Sequence, residues 1–203
     1  MSESARPADA ASGIRIVRFD ACEAVPWANG KGTTRVLAVD GADPEWCYRV
    51  SVADLVGAQA FSAFPGIHRH LTFLGPGTLE MRIDGATTTL RPFESVEFAG
   101  EDAVHSTASS PGARDLNVMS RRGRRPVRER VLDAGAVHPA GDAAEALWIA
   151  LEPGTIAGAE VRMLDVAHLP VGAPVVASGR GLLVEIGPDG RGHAASGPPT
   201  PPD

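Results

Sequence analysis

The chain is interrupted too often to build long helices. Short apolar or alternating runs at residues 14–19, 35–39, 46–53, 71–74, 79–83, 95–98 and 116–119 are closed by Gly, Pro or Asp. Runs of that length with a two-residue period read as strands, and many of them at close spacing indicate a barrel or a sandwich. The 23 Gly and 17 Pro supply the turns. Asp84-Gly85, before the Thr-rich run 87–90, has the chemistry of a two-residue hairpin turn, and Gly75-Pro76-Gly77 marks another reversal. A second, shorter set of runs, 146–151, 161–166, 174–177 and 182–186, follows a stretch of loop composition. The expected fold is all-β with few helices. A main unit spans 14–125, a smaller β unit spans 126–187 and packs on the first, and disordered tails occupy 1–13 and 188–203.

Charge narrows the range of partners. The net charge is −6 and Lys31 is the only lysine, so the whole-molecule field repels nucleic acid and anionic membranes. Any anion must be held by a local site. The run RRGRRPVRER at 121–130 is broken by Pro126 and Glu129 and lacks interleaved aromatics. It reads as a solvated linker rather than a nucleic-acid tract. Cys22 and Cys47 lack CxxC spacing and read as reduced thiols. Residues 1–13 carry no apolar core of signal-peptide length and no run approaches a membrane span, which makes the cytoplasm the expected address.

Three stretches carry side chains that strands and turns do not need for packing. In PWANGKGTTR, residues 26–35, Trp27 offers a flat apolar surface with one N–H, Asn29 an amide, and Thr33 and Thr34 hydroxyls. Gly30 and Gly32 would let backbone amides approach a ligand; equally, Trp27 could cap a barrel end. In 46–53, alternation sets Trp46, Tyr48, Val50 and Val52 on one face and Cys47, Arg49, Ser51 and Ala53 on the other. If the second face is interior, Arg49 requires a carboxylate from the protein or from a ligand. Phe61 and Phe64, with Pro65-Gly66, form an aromatic turn that either walls a pocket or plugs the core. In DLNVMSRRGRR, residues 115–125, Asp115, Asn117, Met119 and Arg121 share a face. Asp115 could neutralise Arg49 or Arg69, or orient a bound amide or imidazole.

Together, PWANGKGTTR, WCYRVSVADL, FSAFPGIHRHL, FAGEDAV and DLNVMSRRGR resemble, in order and spacing, the signature blocks of the HutD/Ves family. The resemblance is strongest over 14–125. It implies a bicupin architecture of two packed cupin-like β-barrels without a catalytic metal or other cofactor, and a regulatory link to bacterial histidine utilisation through a sensed carboxylate such as urocanate or formylglutamate. It carries a pocket onto Trp27, Asn29, Thr33, Thr34, Arg49, Ser51, Phe61, Phe64, Arg69, Asp115, Asn117 and Met119. The implied protein is a non-catalytic, small-molecule-binding one, able to form a homodimer by analogy with other cupins. A rival reading is a metal-dependent cupin isomerase or oxygenase. His68 and His70 would share a strand face, with His105 as third ligand, but their spacing from Gly66, Glu80 and Gly100 departs from that of metal-binding cupins.

Overall fold

The structure is a computed structural model describing residues 14–27, 32–42, 45–139 and 141–189. The expected tail at 1–13 and the part of the C-terminal tail from 190 onward lie outside the described residues. Asp189 does not hang free of the body, because Arg124 donates to its carboxylate at 2.8 Å.

Alternating burial produces a stack of four antiparallel sheets. The first inner sheet has the order Ala24–Pro26, Thr33–Val39, Tyr48–Leu55, Ala113–Arg121, Ile67–Gly75, Ser95–Ala99. The second runs Arg15–Val17, Val166–Leu169, Glu145–Ala150, Gly181–Ile186, Val127–Leu132. One face of each inner sheet meets the other inner sheet: Tyr48, Val50, Val52, Leu116 and Val118 pack against Leu147, Ile149, Leu182 and Val184. On its opposite face the first inner sheet packs Leu71, Phe73 and Phe98 against Leu79, Met81, Leu90 and Val104 of a four-stranded outer sheet. The second packs Trp148, Ala167 and Leu183 against Val137, Ile156, Val161 and Val175 of another. Both inner sheets are thus covered on both faces, and their central strands are buried almost throughout. Among the described residues, no backbone ladder runs from one sheet into the next. The result is a stack of paired sheets, not the pair of closed barrels that the resemblance implies.

Several sequence expectations met tertiary structure differently. Asp84 and Gly85 both have positive φ, 46° and 87°, as a two-residue hairpin turn of the primed kind requires. The segment Arg15–Val17 pairs with Val166–Leu169 and so lies in the sheet of the C-terminal half. The run 161–166 is two strands, not one. Leu164 has a φ of 70°, and the buried Asp165 carboxylate accepts from the backbone N–H of Arg162 and of Phe19.

The arginine run is not a solvated linker. Val127–Leu132 is an edge strand of the second inner sheet, and arginines on either side of Pro126 are paired: Arg125 with Asp40 and Glu145, Arg128 with Asp142, Arg130 with Glu185. Val127 and Val131 alternate with charges whose partners are distant in sequence, which local composition could not reveal. No helix among the described residues is long and apolar enough to cross a membrane.

Because Ile149 is fully buried where the two inner sheets meet, Ile149→Ala opens a cavity in the contact joining the two halves. The expected loss is about 2–5 kcal/mol of stability, read as a lower urea midpoint. A loss below about 0.5 kcal/mol would mean that this contact does not hold the halves together.

Candidate functional site

Register turns the alternation into a grid. Ala113–Arg121 lies between Tyr48–Leu55 and Ile67–Gly75, so Met119 is opposite Arg49 on one side and Arg69 on the other. Asn117 is likewise opposite Ser51 and Leu71, and Asp115 is opposite Ala53 and Phe73. Thr34, opposite Ala53, extends the last row by one strand. The ladder to Ile67–Gly75 slips between Arg114 and Asp115, a bulge beside this grid. Leu116 and Val118, of the other parity, enter the core between the inner sheets.

A cavity of about 480 Å³ covers this grid. Of the sequence-predicted residues, Trp27, Thr34, Arg49, Ser51, Phe61, Phe64, Arg69, Asp115, Asn117 and Met119 line it. Thr33 does not: its hydroxyl and its N–H donate to Asp54 Oδ2 at 2.8 and 3.0 Å, which anchors the opening loop. Asn29 lies outside the described residues. Trp27 is held at the mouth, its Nε1 donating to Thr34 Oγ1 at 2.8 Å. A Cβ at Gly32 would stand 3.1 Å from the Trp27 ring and 3.2 Å from Asp54 Cβ, so a bare backbone lets the indole lie close to the loop. Trp46 precedes the strand and packs with Ile67 and Met119 on the cavity side, not with Tyr48 and Val50 as strict alternation from 46 had it.

The aromatic turn is clamped from two sides. Phe64 N–H donates to Gly100 O at 2.6 Å and Gly100 N–H to Ile67 O at 2.7 Å, while Phe61 N–H donates to Val104 O. A Cβ on Gly100 would stand 2.2 Å from the Phe64 carbonyl oxygen, so no larger residue fits this crossing. The turn thereby brings Phe61 and Phe64 over the grid, with Phe61 edge-on to Phe98. Gln59 and Ser62 also line the cavity and were missed. Ala58–Ala60 is a three-residue strand with no alternation to read, although Ser62 sits between the two phenylalanines that were singled out.

The charge chemistry centres on Arg69, which is 5% exposed. Its guanidinium carbon lies 4.9, 5.0 and 5.7 Å from the ring centroids of Phe61, Phe98 and Phe64. Its Nη2 donates to Asn117 Oδ1 at 2.6 Å, and Asn117 Nδ2 donates to Asp115 Oδ1 at 2.7 Å. A guanidinium can only donate, so the amide orientation follows from the chemistry. Among the described residues, Arg69 Nε and Asp115 Oδ2 are buried without a hydrogen-bond partner. Burial lowers the Arg69 pKa to about 10, with Asp115 pulling it back up and Arg49 pushing it down. Burial raises Asp115 to about 7 against the opposing pull of Arg69, the Ala53 backbone and Asn117.

The histidines of the rival reading do not converge. His68 and His70 point away from the cavity: His68 lies 3.5 Å from Glu97 on the adjacent strand of the same sheet, and His70 contacts Glu129 of the second inner sheet. His105 is in the outer sheet, paired with Ala60 and Arg82. Alternation explains this: Arg69, between the two histidines, takes the cavity face and leaves them the other. Among the described residues, no group of three or more His, Cys, Asp or Glu is placed to hold a metal ion.

A family model described as HutD matches residues 20–181. Protein Ves of Citrobacter koseri is 36% identical over 110 residues, covering 53% of this chain and 58% of that protein. An uncharacterised 21.2 kDa protein from the hutC 3′ region of Pseudomonas putida is 29% identical over 111 residues, with the same coverage. The chain thus spans little more than half the length of the curated relatives it matches. The solved HutD structure from Pseudomonas fluorescens SBW25 superposes with a TM-score of 0.77 at 24% identity, over 87% of this chain and 98% of that one. A Cupin 2 conserved barrel domain protein from Leptotrichia buccalis superposes at 0.51 and 13% identity, over 85% and 95%, which extends the likeness of fold to cupins.

The buried Asp115 predicts a pH dependence of stability. Its folded pKa is raised, so its contribution is complete below about pH 4 and is lost as pH rises through 7. Relative to Asp115→Asn, the wild-type protein should lose up to about 4 kcal/mol between pH 4 and pH 8 in urea titrations. Parallel stability curves for the two proteins would contradict the assignment.

Proposed function

The chain belongs to the HutD family, and we propose that its cavity reversibly binds a small carboxylate without turning it over. The observation that carries this reading is Arg69: a buried guanidinium held by three phenylalanine rings and one amide, with its Nε lacking an acceptor among the described residues. A carboxylate from solution supplies that acceptor and offsets the charge that burial disfavours. Arg49, across Met119 in the same row, closes the clamp from the other side. Asn117 and Asp115 orient the ligand, Asn29 contributes from the opening loop, and Trp27 or the phenylalanine turn stacks on its flat part.

The residues around the cavity favour binding over turnover. Its lining holds hydroxyls on Thr34, Ser51 and Ser62, and the carboxylate among the described lining residues, Asp115, is hydrogen-bonded to Asn117 rather than to any of them. The relative from the hutC 3′ region supports a role in histidine utilisation. The ligand we propose is a carboxylate intermediate, urocanate or N-formylglutamate, whose level the protein senses in the cytoplasm. Each inner sheet with the outer sheet it faces is, on this reading, one open cupin-like unit of a bicupin, with the ligand held in the N-terminal one.

In thermal-shift measurements, urocanate or N-formylglutamate at a hundred times its Kd should raise the midpoint by roughly 5–10 °C. Arg69→Met, which keeps the packing among the phenylalanine rings, should abolish the shift while the protein stays folded. Folded wild-type protein that responds to neither acid would overturn the proposal.

A further inference from the structure

Among the described residues, Arg69 Nε is not the only buried polar atom of the cavity lining without a hydrogen-bond partner. Asp115 is 1% exposed, its Oδ1 is taken by Asn117 Nδ2, and its Oδ2 has no hydrogen-bond partner among the described residues. The two orphaned atoms are of opposite kind, a donor on Arg69 and an acceptor on Asp115. They lie at opposite ends of one relay that runs from the guanidinium through the Asn117 amide to the carboxylate. A simple carboxylate satisfies the first and leaves the second as it was. Leaving a buried acceptor unsatisfied forfeits binding energy that a ligand N–H would recover.

We infer that the ligand is two-ended, a carboxylate bearing an N–H donor, and that Asp115 is the residue that selects for that N–H. The inference rests on the proposed carboxylate-binding role and names the second feature of its ligand. The cavity has room for such a molecule, since about 480 Å³ lies within the usual size of small-ligand sites. Its remaining walls suit the part between the two ends. Phe61, Phe64 and Trp27 offer faces to a planar imidazole or amide, and Gln59 and Ser62 supply adaptable hydrogen bonds at the rim. Asp115 has the position needed for discrimination. It sits on the central strand, beside a bulge and between two hydrogen-bonded neighbours, so it cannot move away from a ligand that fails to donate. A site whose buried acceptor must be matched rejects isosteric analogues lacking the donor far more strongly than an apolar wall does.

Two pairs of matched probes test this by isothermal titration. One is urocanate against 3-(2-furyl)acrylate; the other is N-formyl-L-glutamate against its ester analogue 2-formyloxyglutarate. In whichever pair has a member that binds, the acid with the N–H should bind at least about 100-fold more tightly than its partner. In Asp115→Asn the side-chain oxygen remains with Asn117 and an NH₂ replaces Oδ2, so the two members should come within about tenfold of each other. Equal affinities in the wild-type protein would overturn the inference and leave carboxylate binding intact. Discrimination that persists in Asp115→Asn would overturn the role of Asp115, and failure of all four probes would overturn carboxylate binding and this inference together.

Discussion

Every feature of the cavity depends on one constraint, that the first inner sheet is covered on both faces. A strand in such a sheet cannot send its polar residues to solvent, so alternation sorts side chains between two interiors. In Ala113–Arg121 one parity, Leu116 and Val118, goes to the apolar contact with the second inner sheet. The other parity, Asp115, Asn117 and Met119, goes under the outer sheet. Burying a carboxylate and a guanidinium on that second face is unfavourable unless they are paired or hydrogen-bonded, and the Asn117 amide joins them only in part. The incompleteness of that pairing among the described residues is what the proposed ligand would make good.

The phenylalanine turn supplies what the amide does not. Three rings around Arg69 replace water with polarisable surface and keep the guanidinium plane in place, while Gly100 pins the turn by two backbone hydrogen bonds. The arginine is thereby held in place, so the proposed ligand would order little further on meeting it. Thr33 acts at one remove by anchoring Asp54, which keeps the loop that presents Trp27 in register.

Much of this was legible in the chain. The sharing of a face by Asp115, Asn117 and Met119, and by Arg49 and Ser51, follows from a two-residue period, and the strands that carry them are long enough for that period to show. The aromatic turn and the Asp84-Gly85 hairpin were visible in local chemistry. What could not be read depended on contacts between segments far apart in sequence. Ala58–Ala60 is too short to have a period, and it hides Gln59. Arg128 and Arg130 read as part of a linker until the ladder with Gly181–Ile186 and the carboxylates of Asp142 and Glu185 are brought beside them. His68 and His70 suggested a chelating pair, yet the Arg between them takes the cavity face and commits both to the opposite side, against Glu97 and Glu129. The break at Leu164 is set by Asp165 binding the distant Phe19 N–H, for which 161–166 carries no local sign.

The central claim is that Arg69 receives a carboxylate in a cavity roofed by aromatic rings. The most direct measurement is the ¹⁵N–¹H resonance of the Arg69 Nε–H group in labelled protein, assigned by its loss in Arg69→Met. During titration with urocanate and with N-formylglutamate, that resonance should move downfield and exchange more slowly with solvent for at least one of the two acids. A resonance that stays fixed through saturating amounts of both acids would contradict the account.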